Sequence, residues 1–449
     1  MSKQRIQLSD HFTYPRLLRF VLPCIGTMLF TSIYGIVDGL CVSNFVGKTA
    51  FAAVNLIMPL PMLLGTIGFM LGTGGSAIVG ITLGEGDQKK ADRYFTLFLL
   101  AALVSVSVLA VLGIVFLRPI AVLLGAKGEL LDYAVRYGRI LMVSLPTFAL
   151  QNMFQSFFVT AEKPHLGFWF TVGAGCTNMV LDVLMVGIWG WGVEGAAIAT
   201  FISQLVGGVL PVFYFIDRSN SSRLHLCKTS FYSKVLRDAC INGSSELMTN
   251  LSMSLVNILY NYQLLRLAGE NGVAAYGVIM YAAFLFVAVF VGYAVGSAPI
   301  VSFHYGARNH AEVHNLYRKS LRLIAVVAVT LTLASMFIIP CVARIFVGYD
   351  AELLALTSRA FRLYALSFLI MGFNVYASSF FTALGDGVTS ALISFLRTLV
   401  FQVIAILLLP LLLGIDGIWL AVTAAELAAL VVSAAMLLTK DKVFHYRKV

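Results

Sequence analysis

Residues 47–84, GKTAFAAVNLIMPLPMLLGTIGFMLGTGGSAIVGITLG, are re-run 222 residues later by residues 269–306, GENGVAAYGVIMYAAFLFVAVFVGYAVGSAPIVSFHYG. Gly47, Ala52, Ala53, Gly74 and Gly84 fall on Gly269, Ala274, Ala275, Gly296 and Gly306. The same ungapped offset carries Asn152, Phe158, Gly192, Gly195 and Ala199 onto Asn374, Phe380, Gly414, Gly417 and Ala421. One offset that holds across nearly a whole half marks a duplication. The repeated unit is apolar, and duplicated membrane bundles commonly form substrate pathways between their halves.

Working outward, 59% of the 449 residues are hydrophobic and 12% charged, with a mean hydropathy of +0.90. A soluble globular protein has no such composition. Twelve apolar stretches, from 17–42 through 416–438, are each long enough to cross a hydrocarbon core of roughly 30 Å as a helix. The short alternating segments of a β-barrel are missing. The expected fold is therefore an all-α integral membrane protein, with twelve transmembrane helices in two six-helix lobes. A polar segment at 217–237 divides lobe 1–216 from lobe 238–449. Six is an even number, so both copies enter the membrane in the same direction, and a pseudo-two-fold axis along the membrane normal follows. No cleavable signal peptide is expected, because the first apolar stretch is long and holds Pro23 and Asp38.

The net charge of +10 is a matter of topology before partners. With the N-terminus inside, 21 Lys and Arg fall on inner segments and 9 on outer ones. That bias places both termini in the cytoplasm of a multi-pass cell-membrane protein, with lipids and not nucleic acid as its neighbours. Six cysteines (24, 41, 176, 227, 240 and 341) without CxxC spacing read as small apolar fillers. His304, His310 and His314 read as solvated residues of an inner loop, not as a metal site. There is no P-loop, zincin or nucleophile-elbow motif, and no enzymatic activity is expected.

Charged and amide side chains inside a bilayer need a partner or a water-filled cavity. Tyr34 and Asp38 stand i,i+4 on helix 1, and Asn178 and Asp182 i,i+4 on helix 5. With Thr200 on helix 6, these groups share one depth within about 5 Å at roughly 1.5 Å per residue. Two nearby carboxyls in a low dielectric resist joint ionisation, which suits a proton. Oxygen ligands from Asp38, Asn178, Asp182 and Thr200 equally suit a Na+ ion. In the second half, Glu246, Asn250, Asn257 and Asn261 form a stripe on helix 7. Arg397 and Glu426 are further buried charges, expected to pair with each other or with Glu246. Pro23 is a site for bending helix 1.

With those residues in view, the chain resembles the MATE (multidrug and toxic compound extrusion) family over about residues 15–440. The most specific stretches are Ile33-Tyr34-Gly35-Ile36-Val37-Asp38, Gly72-Thr73-Gly74-Gly75-Ser76, Leu83-Gly84-Glu85-Gly86-Asp87, Asn242-Gly243-Ser244-Ser245-Glu246 and Tyr305-Gly306-Ala307. It is similar above all to the DinF-like branch, through Asp38 and the Asn178-x-x-x-Asp182 pair. In that branch Thr200, Tyr34 and Pro23 also match positions linked to the proton cluster and to helix 1 bending. The sodium-linked NorM branch carries an acid on helix 10, and residues 360–384 contain none.

The resemblance implies an exporter of amphipathic, often cationic compounds in exchange for H+ or Na+, working by alternating access. No cofactor and no obligate protein partner are implied, and one chain suffices. The ion-coupling residues would be Asp38, Asp182, Asn178, Thr200 and Tyr34. Asn152, Gln155, Glu246, Asn250, Asn257, Glu426 and Arg397 would border a substrate lumen. The alternative is a lipid-linked oligosaccharide or polysaccharide flippase of the same superfamily, less suited to an acidic cavity. A channel or receptor is a third class, less suited to duplication with a buried carboxylate pair.

Overall fold

The computed structural model describes residues 6–46, 48–348 and 350–447. Gly47, a repeat position, lies outside them, as does the side chain of Cys41. Among the described residues every regular element is helical. Its first half runs α1 (Tyr14–Phe45), α2 (Lys48–Ile57), α3 (Pro59–Gly84), α4 (Gln88–Leu123), α5 (Gly128–Thr160), α6 (Pro164–Asp182), α7 (Gly192–Gly208) and α8 (Leu210–Ile216). The second half runs α9 (Ser233–Gly306), α10 (His310–Val347), α11 (Ala351–Ala365), α12 (Phe368–Ala383), α13 (Gly387–Phe395), α14 (Phe401–Leu413), α15 (Ile415–Thr439) and α16 (Asp441–Phe444). Two widened π-turns are inserted, Val183–Ile188 after α6 and Leu396–Val400 between α13 and α14.

Among the described residues nine helices are long and apolar enough to span a membrane, and the bent pair α11–α12 adds a tenth. The 74-residue α9 supplies two passes, because Gly269 breaks it with φ +60° and ψ −151°. Helix α5, at 33 residues, is long enough, but its apolar part carries Gln151, Asn152 and Gln155. With α5 and both arms of α9 counted, the described residues offer twelve candidate passes, at the stretches the apolar pattern marks out.

The duplication is written into the backbone. Gly86 and Arg308, one repeat apart, both take positive φ (+87° and +55°), and so do Gly192 and Gly414 (+61° and +59°). Asp87 and Asn309, also one repeat apart, cap α4 and α10 by accepting the amides of Lys90 and Glu312. These caps satisfy N–H groups that the first helical turn leaves free.

The halves meet backbone to backbone. A Cβ on Gly84 would lie 2.0 Å from the Phe303 carbonyl, and a Cβ on Gly306 would lie 2.1 Å from the Ile81 carbonyl. Residues 84 and 306, and 81 and 303, are repeat equivalents, so the contact is reciprocal, as a local two-fold axis requires. The seam continues where Gly74 faces Ala239 and Gly243, and where a Cβ on Gly243 would stand 1.9 Å from the Met70 carbonyl. Without bulky lipid-excluding forces, such close approach is what small residues supply between membrane helices. Gly243→Ala is expected to lower the yield of monodisperse protein extracted in detergent, since no side chain can give way. Gly173→Ala, whose new Cβ would meet nothing nearer than Val206 at 3.9 Å, should leave that yield unchanged in the same size-exclusion measurement.

Both ends of the chain are tucked against the bundle. The Leu8 amide donates to Glu162 Oε1 (2.9 Å) and the Phe12 amide to Glu312 Oε1 (2.9 Å), with both side chains fully buried. Residues 6–13 thus strap the first half to the second. The 217–232 connector is no loose linker: its backbone is held by Asp92, Thr96 and Gln88 of α4, and Arg223 pairs with Glu162 at 2.5 Å. At the other terminus Tyr446 is buried, donating its hydroxyl to the Leu437 carbonyl and packing on Tyr317 and Phe380.

The solvated-loop reading is corrected by this packing for His304 and His314, while His310 opens α10 partly exposed. His304 ends α9 at 2% exposure, edge-on to Phe12 and Phe303. His314 lies in α10 with Nδ1 bonded to the Tyr446 carbonyl. Only the helix boundaries, which run past the apolar stretches, could have revealed this. Among the described residues no three His, Cys, Asp or Glu side chains gather to hold a metal.

Candidate functional site

Two polar constellations lie inside the bundle, one in each half. In the first half, α1 and α6 approach closely at Gly175, where a Cβ would meet the rings of Phe30 and Tyr34. That contact turns Asp38 of α1 toward Asp182 of α6, and the two carboxyls face each other. Asp182 is fully buried and Asn178, one turn earlier, is 2% exposed. Among the described residues, neither Asp182 oxygen, nor Asp38 Oδ1, nor Asn178 Nδ2 meets a hydrogen-bond partner. Two carboxylates only accept hydrogen bonds, so they bond to each other only when one carries a proton. Buried polar atoms left without partners are rare and ask for a ligand, an ion or a shared proton.

Tyr34 stands beside Asp38, and a tyrosine the sequence did not single out, Tyr137 of α5, lies buried beside both acids. Thr200 is half-buried on α7 and, among the described residues, makes no side-chain hydrogen bond to the acids. Directly after Asp182 the helix widens into the Val183–Ile188 π-turn, a local irregularity often found at functional positions. Pro23 sits inside an unbroken α1, its carbonyl accepting from Thr27 Oγ1 (2.9 Å).

The second constellation borders a cavity of about 320 Å³ lined by Glu246, Asn257, Arg397 and Glu426, with Met253, Met280, Met371 and Phe284 on its apolar walls. Tyr260 and Tyr276 stack at 4.8 Å on its edge, and Tyr276 donates to Asn257 Oδ1 (2.8 Å). The two alternatives for the buried charges resolve in favour of their own pair: Arg397 Nε donates to Glu426 Oε1 at 2.7 Å. Glu426 is fully buried and Arg397 13% exposed. Asn374 holds the other side, donating to Glu426 Oε2 (2.7 Å) and to its carbonyl (2.9 Å), while Ser433 donates to Asn374 Oδ1 (2.9 Å). Glu246 borders the same cavity with no cation paired to it among the described residues.

The remaining expected positions scatter. Asn250 and Asn261 bond back to the carbonyls of Glu246 and Asn257 one turn earlier, and neither borders the cavity. Asn152 is buried on α5 with Nδ2 unpartnered among the described residues, and Gln155 lines a separate small space with Cys24, Thr27 and Met28.

Against known families, the MatE profile matches residues 23–184 and then matches again over residues 247–408. The two matches cover well over half of the chain and stand within two residues of the 222-residue offset. The chain belongs to the MatE family. That membership makes it a membrane transporter rather than an enzyme. Among its relatives, "Multidrug export protein MepA" of Staphylococcus saprophyticus is 21% identical over 432 residues, spanning 95% of this chain and 94% of that protein. A solved MATE in complex with MaL6 superposes with TM-score 0.92 at 22% identity, over 99% of this chain and 100% of that one. An outward-facing multidrug resistance MATE family transporter of the MOP superfamily gives TM-score 0.92 at 22% identity, over 99% of each chain. The MatE-family fold is thereby shared end to end.

Sequence reading missed Tyr137 and Asn374. Tyr137 stands between Arg136 and Arg139 in a stretch read as an outer segment, which hid it. Asn374 was within reach: it is the repeat equivalent of Asn152, a position already nominated.

Proposed function

We propose that this MatE-family transporter exports amphipathic, cationic compounds from the cell in exchange for H+ or Na+. The observation that carries the reading is the pairing of Asp38 with fully buried Asp182, with no cation paired to either among the described residues. Such a pair needs a proton or a metal cation, and Asn178 adds an amide at the same place. The 320 Å³ cavity of the second half serves as the drug site: methionines and aromatics adapt to varied apolar shapes, and Glu246 attracts positive charge. The Asp38, Asn178 and Asp182 set supports assignment to the DinF-like branch. In this reading 1–216 and 238–449 act as two lobes, the 217–237 segment bridges them, and both termini face the cytoplasm. A cavity whose unpaired charge is an acid disfavours the flippase alternative, which needs to attract anionic headgroups.

Inward ion flow supplies about 2.3 kcal/mol per charge per 100 mV before any concentration term. The test is dye efflux from proteoliposomes with an imposed pH or sodium gradient. Efflux is expected to require one of the two gradients and to dissipate it in proportion; efflux indifferent to both would overturn the assignment.

A further inference from the structure

The second-half cavity has two poles, and only one of them attracts a simple cation. Arg397 is held from behind. Its Nε is engaged by Glu426 Oε1, Glu426 is fixed by Asn374, and Asn374 by Ser433. The pair is electrically neutral, so the cavity's charge is that of Glu246. Yet a guanidinium has five N–H donors, and Glu426 engages only the one on Nε. Both Nη atoms lack a hydrogen-bond partner among the described residues, and Arg397, 13% exposed, borders the cavity. A planar fork presented this way, with its orientation fixed by a chain of bonds, matches a carboxylate or a comparable pair of oxygen acceptors.

On the reading that this cavity binds exported compounds, we infer that it selects zwitterions: the amine pole of the substrate lies toward Glu246, and its carboxylate lies on the Nη edge of Arg397. A substrate bearing only the amine leaves the Arg397 donors unmatched. A site built to hydrogen-bond a group discriminates against analogues that lack it more sharply than an apolar wall does. Arg397 is then a specificity-determining residue, while its bond to Glu426 is the positioning device.

The experiment uses the full chain, purified in detergent, and two dyes that differ in one group: tetramethylrhodamine with a free carboxylate, and its methyl ester. Fluorescence anisotropy gives both dissociation constants. Wild type is expected to bind the carboxylate form about tenfold more tightly, equivalent to roughly 1.4 kcal/mol. Arg397→Lys keeps a positive charge for Glu426 but replaces the fork by a single ammonium; it should bring the ratio to about one. Glu246→Gln should weaken both dyes together. The double variant Arg397→Gln with Glu426→Gln removes both charges of the pair and checks the same ratio should Arg397→Lys fold poorly. Equal binding of the two dyes by wild type, with both displaced by an unlabelled cation, would sink the zwitterion inference and leave the export reading standing. A preference that survives in Arg397→Lys would equally overturn it. Binding of neither dye would count against the drug-site reading itself, and the inference would fall with it.

Discussion

Asp38→Asn is expected to reduce gradient-driven efflux to the level of protein-free vesicles while the variant still inserts, extracts and elutes as wild type does. The substitution exchanges one oxygen for an NH2 of nearly the same size, so the packing of α1 on α6 is undisturbed. It also relieves a burial problem. A carboxyl opposite fully buried Asp182, with three oxygens lacking partners among the described residues, costs folding free energy that an amide does not. An amide donates to Asp182 in place of a shared proton, and the pair no longer exchanges a proton or coordinates a cation as before. Thermal unfolding in detergent is therefore expected at the wild-type temperature or above it. Loss of efflux together with retained stability is the signature of a coupling group. Wild-type efflux by this variant would remove Asp38 from the mechanism, and a collapse in stability would make its role structural.

Glu426→Ala is expected to act in the opposite manner, with a large loss of stability. It strips the counter-charge from Arg397 and one of the two acceptors from the Asn374 amide. Breaking a buried pair by removing one partner typically costs about 3–5 kcal/mol, since the other charge stays buried and unpaired. Set against a total stability of about 5–15 kcal/mol, that is a large share, and a marked drop in the unfolding temperature should follow. Replacing both partners with apolar residues of similar size, Glu426→Leu with Arg397→Met, should restore most of it, because the uncompensated charge is then gone. An unfolding temperature unmoved by Glu426→Ala would show that water from the cavity already compensates the guanidinium.

How much of this was legible from residues alone depends on the range of the interaction. The duplication, the twelve passes and the shared depth of Asp38 and Asp182 follow from periodicity and spacing, which are local quantities. The capped turn at Asp87 and its copy at Asn309 are equally local. The partner of Arg397 is not. Glu246 and Glu426 were both within reach, and the choice was made by Asn374, which arrives from α12 and is itself held by Ser433, two turns beyond Glu426 on α15. His304 shows the same limit: its neighbours in sequence are a helix end and a polar turn, while its burial comes from Phe12, nearly 300 positions away. Tyr137 was hidden by its charged neighbours, Arg136 and Arg139, which face elsewhere on the same helix.

The glycine seam between α3 and α9 bears on how such a molecule moves. Side chains that interdigitate absorb small displacements by changing rotamer, much as padding does. Where Gly74, Gly84, Gly243 and Gly306 bring main chain against main chain, no padding exists, and a displacement has to be passed on whole. Helices in such contact behave as stiff levers turning about a common fulcrum. A small rotation at Gly84 and Gly306 would be magnified along their length, so distance reporters at the far ends of α3 and α9 should register a motion that reporters near the fulcrum scarcely see.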